Sequence, residues 1–237
     1  MAKYDIEQML DFLREIKVNN NTEWMNANRG WYEQVRDGFK AMSQEILIKL
    51  QAIDPSLGGL EVKNCIYRFN RDTRFSPDKA PYKRHLASYF APGGKKAVTA
   101  GYYFHLQPFD SDDTFFGQTM LCSGIWAPPT EGAKLIREEI FYGGGEALTE
   151  ILNRDEIKKH FGNSYNETDK LKVIPKNLKG SEYEELIRLK SWLLIEYLSD
   201  EDCLKNDFVD YVVETFRITK DFNDFFNEIL LDANLSW

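Results

Sequence analysis

The spacing of apolar residues along this chain changes period twice, and that change restricts the fold more than any other feature. Near both ends apolar residues recur every third or fourth position, as in an amphipathic helix. In the middle they alternate with polar residues, as in a half-buried strand. At the start, Asp5 and Gln8 form a capping pair, and Ile6, Met9, Leu10 and Leu13 predict a helix to about Val18. After the Asn19–Thr22 break, Trp31, Val35, Phe39, Met42, Ile46, Leu50 and Ile53 predict a long helix ended by Asp54-Pro55 and Gly58-Gly59. Four aromatic and β-branched runs follow: Cys65–Arg71, Leu86–Ala91, Thr99–Gln107 and Phe115–Ile125, which read as an antiparallel meander. Pro128-Pro129 and Thr130 open a helix through Ile140, and Gly143-Gly144-Gly145 separate it from another over about Glu146–Leu152. The polar tract Gly162–Lys170 reads as a loop. Lys172–Ile174 and Trp192–Tyr197 read as further strands around a short helix at about Glu182–Leu189. Phe208, Val212 and Phe216, then Phe222, Phe225, Phe226, Ile229 and Leu230, close the chain as helix. The expected fold is α+β: an antiparallel sheet of about four or more strands with helices from both termini packed on it. We expect one domain over 1–237, helical over about 5–54, sheet over about 64–126 and mostly helical over about 128–233.

Charge divides the 237 residues unevenly. The chain as a whole carries a formal charge of −8, which repels phosphates at long range and disfavours non-specific binding to nucleic acid. From Lys63 to Lys96, however, nine basic residues face only two acids, Asp72 and Asp78. A concentrated basic segment in an acidic surround suits a small anion better than a long polyanion. No apolar run is long enough for a bilayer, and the charged amphipathic start has no secretory signal, so no membrane partner and a cytoplasmic location are expected. Cys65, Cys122 and Cys203 are odd in number and lie in mostly apolar stretches, as reduced structural thiols do.

The most distinctive stretch is Arg68 to Lys83. If its first residues stay extended, Tyr67 and Phe69 point one way while Arg68, Asn70, Asp72 and Arg74 point the other. Pro77 and Pro81 turn the chain back. On the third predicted strand the same alternation groups Tyr103, His105 and Gln107, opposite Tyr102, Phe104 and Leu106. Arg68, Asn70, Arg74, Lys79 and Lys83 are then candidates to hold a phosphate or carboxylate, with Asp72 and Asp78 orienting the guanidinium groups. His105 and Tyr82 are the candidates for proton transfer. Two other readings of the same residues stand beside this one: a module that engages nucleic-acid backbone, and an Arg/Asp/Lys network that only pins a hairpin. His85, His105 and His160 have no ligand spacing with each other or with a cysteine, so no metal site is expected. Cofactor, reaction and oligomeric state have no signature in the sequence.

The run N-R-D-T-R-F-S-P-D-K-A-P-Y-K resembles the signature of a bacterial and fungal family defined as domain of unknown function 2461. The resemblance continues upstream in Asn21, Glu23-Trp24, Asn28-Arg29 and Tyr32, and downstream in Gly101–His105, Gly124–Pro128 and Leu189–Ser191, covering roughly Met9 to Leu231. Family members often carry an acid where Gln107 stands and a glycine where Cys122 stands. The resemblance adds Arg29 to the candidate ligand-binding residues and implies a site around the motif without implying an activity.

Overall fold

The computed structural model describes residues 4–113, 116–162, 170–231, 233 and 235. Asp5 accepts a hydrogen bond from the Gln8 amide and starts α1 (Ile6–Val18), whose Met9, Leu10, Phe12, Leu13 and Ile16 are buried. A short α2 (Thr22–Ala27), capped by Asn21, leads into α3 (Arg29–Ile53), which buries the stripe Val35, Phe39, Met42, Ile46 and Leu50. The sheet is an antiparallel meander in the order β1 (Leu86–Phe90), β2 (Gly101–Leu106), β3 (Thr119–Ile125) and β4 (Trp192–Leu198). Between β3 and β4 lie α4 (Thr130–Glu139), α5 (Gly145–Leu152), α6 (Asp155–Phe161) and α7 (Glu184–Arg188). After β4 come α8 (Asp200–Cys203), α9 (Phe208–Ile218) and α10 (Lys220–Leu230). The fold is therefore α+β, as the change of period requires.

Register explains how the layers meet. Leu86, Ser88 and Phe90 lie opposite Leu106, Phe104 and Tyr102, which share a face with Leu121 and Ser123 of β3 and Leu194 of β4. This is the core face. Phe39 of α3 stacks on Phe104 at 5.8 Å, and Phe208 and Phe216 of α9 meet Phe104 and Tyr102. A second apolar cluster joins α4, α5, α6, α7 and α10 to Ile125, Trp192 and Leu194. Each fully buried Leu or Phe in these clusters contributes about 1.5 to 3 kcal/mol of transfer free energy. The opposite face presents Ala87 and Tyr89, Tyr103 and His105, Met120 and Cys122, then Ile195 and Tyr197.

Three expectations need correction. Cys65–Arg71 is no strand of the sheet but an extended arm, held by backbone bonds and the isolated bridges Ile66–Ser88 and Asn70–Tyr82. Lys172–Ile174 forms no strand either; the chain there makes one isolated bridge, Lys170–Leu189. The fourth strand of the meander is Trp192–Leu198, and β3 begins at Thr119. Phe115 and most of the expected Gly162–Lys170 loop, residues 163–169, lie outside the described residues. No helix among the described residues is long and apolar enough to cross a membrane.

Candidate functional site

The arm at 65–71 returns beside 81–89, but not in one register. Tyr89 N–H donates to the Cys65 carbonyl and Tyr67 N–H to that of Ala87, both at 3.0 Å. Further along, Lys83 N–H donates to Phe69 at 2.9 Å and Arg71 N–H to Pro81 at 2.8 Å. Ile66 faces Ser88 and Asn70 faces Tyr82, so four steps along the arm match six on the returning chain. Two extra residues bulge out around Arg84 and His85, and a bulge of this kind re-aims the side chains beside it. The expected pairing of Tyr67 with Phe69 fails for this reason. Ile66 and Phe69 pack on the core, while Tyr67 turns to the Tyr103 ring at 6.2 Å. Arg68 and Asn70 are exposed.

Lys83, inside the same irregular turn, is half-buried with Nζ 5.2 Å from the Tyr67 ring centre. Burial, and then the charge of Arg68, hold its pKa below the ordinary lysine value. Neither Lys83 nor Arg68 has a carboxylate within ion-pair distance among the described residues. Asp72 feels the Arg68 charge, yet its oxygens accept from the Arg74 guanidinium at 2.7 to 3.3 Å.

Behind Lys83 lies a buried polar chain. Asp113 Oδ2 accepts from the Gln107 amide nitrogen at 3.0 Å, which aims Gln107 Oε1 at His105 Nε2, also 3.0 Å away. Nε2 therefore carries the His105 proton, and Nδ1 is left to accept from the Tyr103 hydroxyl at 3.1 Å. His85 lies against His105 with ring centres 4.2 Å apart, and Phe116 packs on both. Burial lowers the pKa of His105 to about 4 and that of His85 to about 2, so both rings are neutral at pH 7. The thiols are inert: burial pushes Cys65 and Cys203 up to about 11 and Cys122 up to about 12. Among the described residues no three His, Cys, Asp or Glu side chains gather as metal ligands.

The motif loop itself is braced from within. Arg71 Nη1 donates to Asp78 Oδ2 at 2.5 Å and to the Ala80 carbonyl at 3.1 Å, and Asp78 Oδ1 accepts from the Ala80 amide. That amide first, and Arg71 second, keep the Asp78 carboxyl below its ordinary pKa. Lys79 Nζ donates to the Thr73 carbonyl at 2.9 Å. Arg74 is open to solvent beside Asp72, with Phe75 at the tip 94% exposed. An exposed local pair contributes little to stability, so Arg74→Met should leave the melting temperature within measurement scatter of wild type. Thermal unfolding followed by circular dichroism checks this.

A separate group of cations lines a groove of about 720 Å³ between α3, the arm and the Lys95–Lys96 turn. Six basic residues line it (Arg36, Lys40, Lys63, Arg68, Lys95 and Lys96) against one acid, Asp37. Arg36 pairs with Asp37 and Lys63 with Glu61, while Lys40, Arg68 and Lys96 make no ion pair among the described residues. Tyr32, Tyr67, Phe39 and Phe69 supply its aromatic surface.

Of the residues singled out by sequence, Tyr103, His105 and Gln107 form the buried polar chain beside Lys83, and Arg68 lies near Lys83, with only Arg68 of these five lining the groove. Tyr82 stacks on Phe69 in the core, its backbone held at both ends by the Asn20 amide. Arg29 pairs with Glu33 and lies over Tyr32 on the helix surface. Arg36, Lys40 and His85 were not anticipated. Arg36 and Lys40 are one helical turn apart, which places them on one side of α3, and that spacing was the available signal.

No curated protein and no solved structure matches the chain at a significant level. A family model described as conserved hypothetical protein (DUF2461) matches residues 8–225, from α1 to α10 and across the arm, the sheet and the groove. The chain belongs to that family.

Proposed function

We propose that the protein binds a small phosphate- or carboxylate-bearing ligand with its anionic group between Arg68, which lines the basic groove, and Lys83, which lies outside that lining beside the Tyr67 ring. The observation that carries this reading is a pair of neighbouring like charges, neither in an ion pair with an acid among the described residues. Lys40, Lys95 and Lys96 extend the positive surface, and a volume near 720 Å³ is in the range of small-molecule sites. Tyr32 and Tyr67 offer flat apolar surface to an organic portion. The net charge of −8 keeps long polyanions away, which favours this reading over nucleic-acid backbone. Arg71, Asp78 and Lys79 pin the loop instead, so the hairpin-pinning reading describes those three residues. Three buried, unbridged thiols suit a reducing cytoplasm.

Thermal-shift titration with inorganic phosphate, pyrophosphate and citrate tests the site. A compound at a hundred times its Kd should stabilise the wild type by about 2.7 kcal/mol, saturably. Arg68→Met should lose the response and Arg74→Met should keep it. An Arg68→Met protein that responds like wild type would overturn the assignment. Binding only of long polynucleotides, with steep salt dependence, would replace it by the nucleic-acid reading.

A further inference from the structure

Lys83 differs from the lysines around it. Lys63 pairs with Glu61, Lys79 donates to the Thr73 carbonyl and Lys95 donates to the Lys63 carbonyl, whereas among the described residues the Lys83 amine meets only the Tyr67 ring, with Arg68 nearby. The imidazoles of His85 and His105, close enough to sense its charge, are neutral and give it no counter-ion. Half-buried, such an amine has no carboxylate among the described residues to hold it in the ammonium form, and only the Tyr67 ring face favours the cation.

We propose that Lys83 Nζ is a nucleophilic amine that condenses reversibly with the carbonyl carbon of a small aldehyde or ketone whose carboxylate or phosphate is held by Arg68. This rests on the Arg68–Lys83 anion site and narrows its ligand to carbonyl compounds. The neutral amine adds its lone pair to the carbonyl carbon, forming a C–N bond while the carbonyl oxygen takes up a proton. The carbinolamine then breaks its C–O bond, and water leaves with both former amine hydrogens, giving an imine. Nothing is oxidised or reduced, so no co-reactant is required. Burial and the Arg68 charge both enlarge the neutral fraction of the amine near pH 7. Arg68 serves twice, by holding the anionic end and by disfavouring the ammonium.

Reductive trapping tests the step. The full chain is incubated with glyoxylate, which carries a carbonyl and a carboxylate, or with neutral propionaldehyde, in the presence of cyanoborohydride, and each lysine is quantified by peptide mass spectrometry. Lys83 should be labelled by glyoxylate about tenfold faster than exposed Lys40 or Lys79. Arg68→Met should remove most of that advantage for glyoxylate and less of it for propionaldehyde. In wild type, labelling of Lys83 should rise with pH at values below those of an ordinary lysine, a readout that needs no variant. Lys83 labelled no faster than Lys40, with an unshifted pH profile, would overturn the proposal. If phosphate still stabilises the wild type through Arg68 in that case, the anion site stands and only the amine chemistry falls. If phosphate has no effect either, both fall.

Discussion

Acidified from pH 7 to pH 4.5, the protein should lose roughly 3 to 5 kcal/mol of unfolding free energy through His85 and His105 alone. Folding depresses both pKa values from the ordinary histidine value of 6.5, to about 4 for His105 and about 2 for His85. The unfolded chain therefore takes up two protons as pH falls below about 6.5 while the native state takes up neither. The stabilisation is complete above pH 6.5 and is lost progressively as pH falls; His105 stops contributing to the slope near 4 and His85 near 2. The cause is structural. Burial dominates at both rings: His105 lies under His85 and Phe116, with its Gln107 bond only partly opposing the shift, and His85 is covered by His105 and Phe116. Urea unfolding measured across this range gives the slope, and His105→Gln should remove about half of it. Stability that stays flat between pH 6.5 and 5 would show that the rings are solvated or paired with acids.

Gly124→Ala should destabilise the protein by at least about 3 kcal/mol, combining backbone strain with overpacking. Gly124 sits in β3 at φ +118°, outside the region open to residues with a side chain. A Cβ there would lie 2.0 Å from the Trp192 carbonyl oxygen of β4 and 2.9 Å from the Phe222 ring of α10. The first of these is backbone and cannot turn aside, so β3 and β4 must separate. Equilibrium unfolding of the variant measures the loss. A Gly124→Ala protein of wild-type stability would mean that the β3–β4 edge is looser than described.

Both effects arise where local sequence is a poor guide, and the same contrast runs through the fold. The 3.6-residue stripes of α1, α3, α9 and α10 are legible because each repeats over several turns on an otherwise polar helix. Trp192–Leu198 is legible as a strand from its apolar run. Alternation also separates Tyr102, Phe104 and Leu106 from Tyr103 and His105, and these do take opposite faces of β2. It fails at Tyr67 and Phe69 because the bulge around Arg84 and His85 carries no Gly or Pro to announce it. Once the register steps, Arg68 stays near Lys83, while Arg74 goes out with Asp72 to the loop tip. Apart from Lys63, the remaining cations of the groove come from α3 and the Lys95–Lys96 turn, so only the tertiary fold brings them to Arg68.

An NMR titration of the wild-type chain with inorganic phosphate, following backbone amides together with the Arg68 guanidinium and the Lys83 ammonium, reads the anion site residue by residue. Saturable shifts should be largest at Arg68 and Lys83, smaller at Lys95 and Lys96, and absent at Arg74. Shifts centred on Arg74 and Phe75, or weak unsaturating shifts spread over the surface lysines, would contradict a ligand site between Arg68 and Lys83.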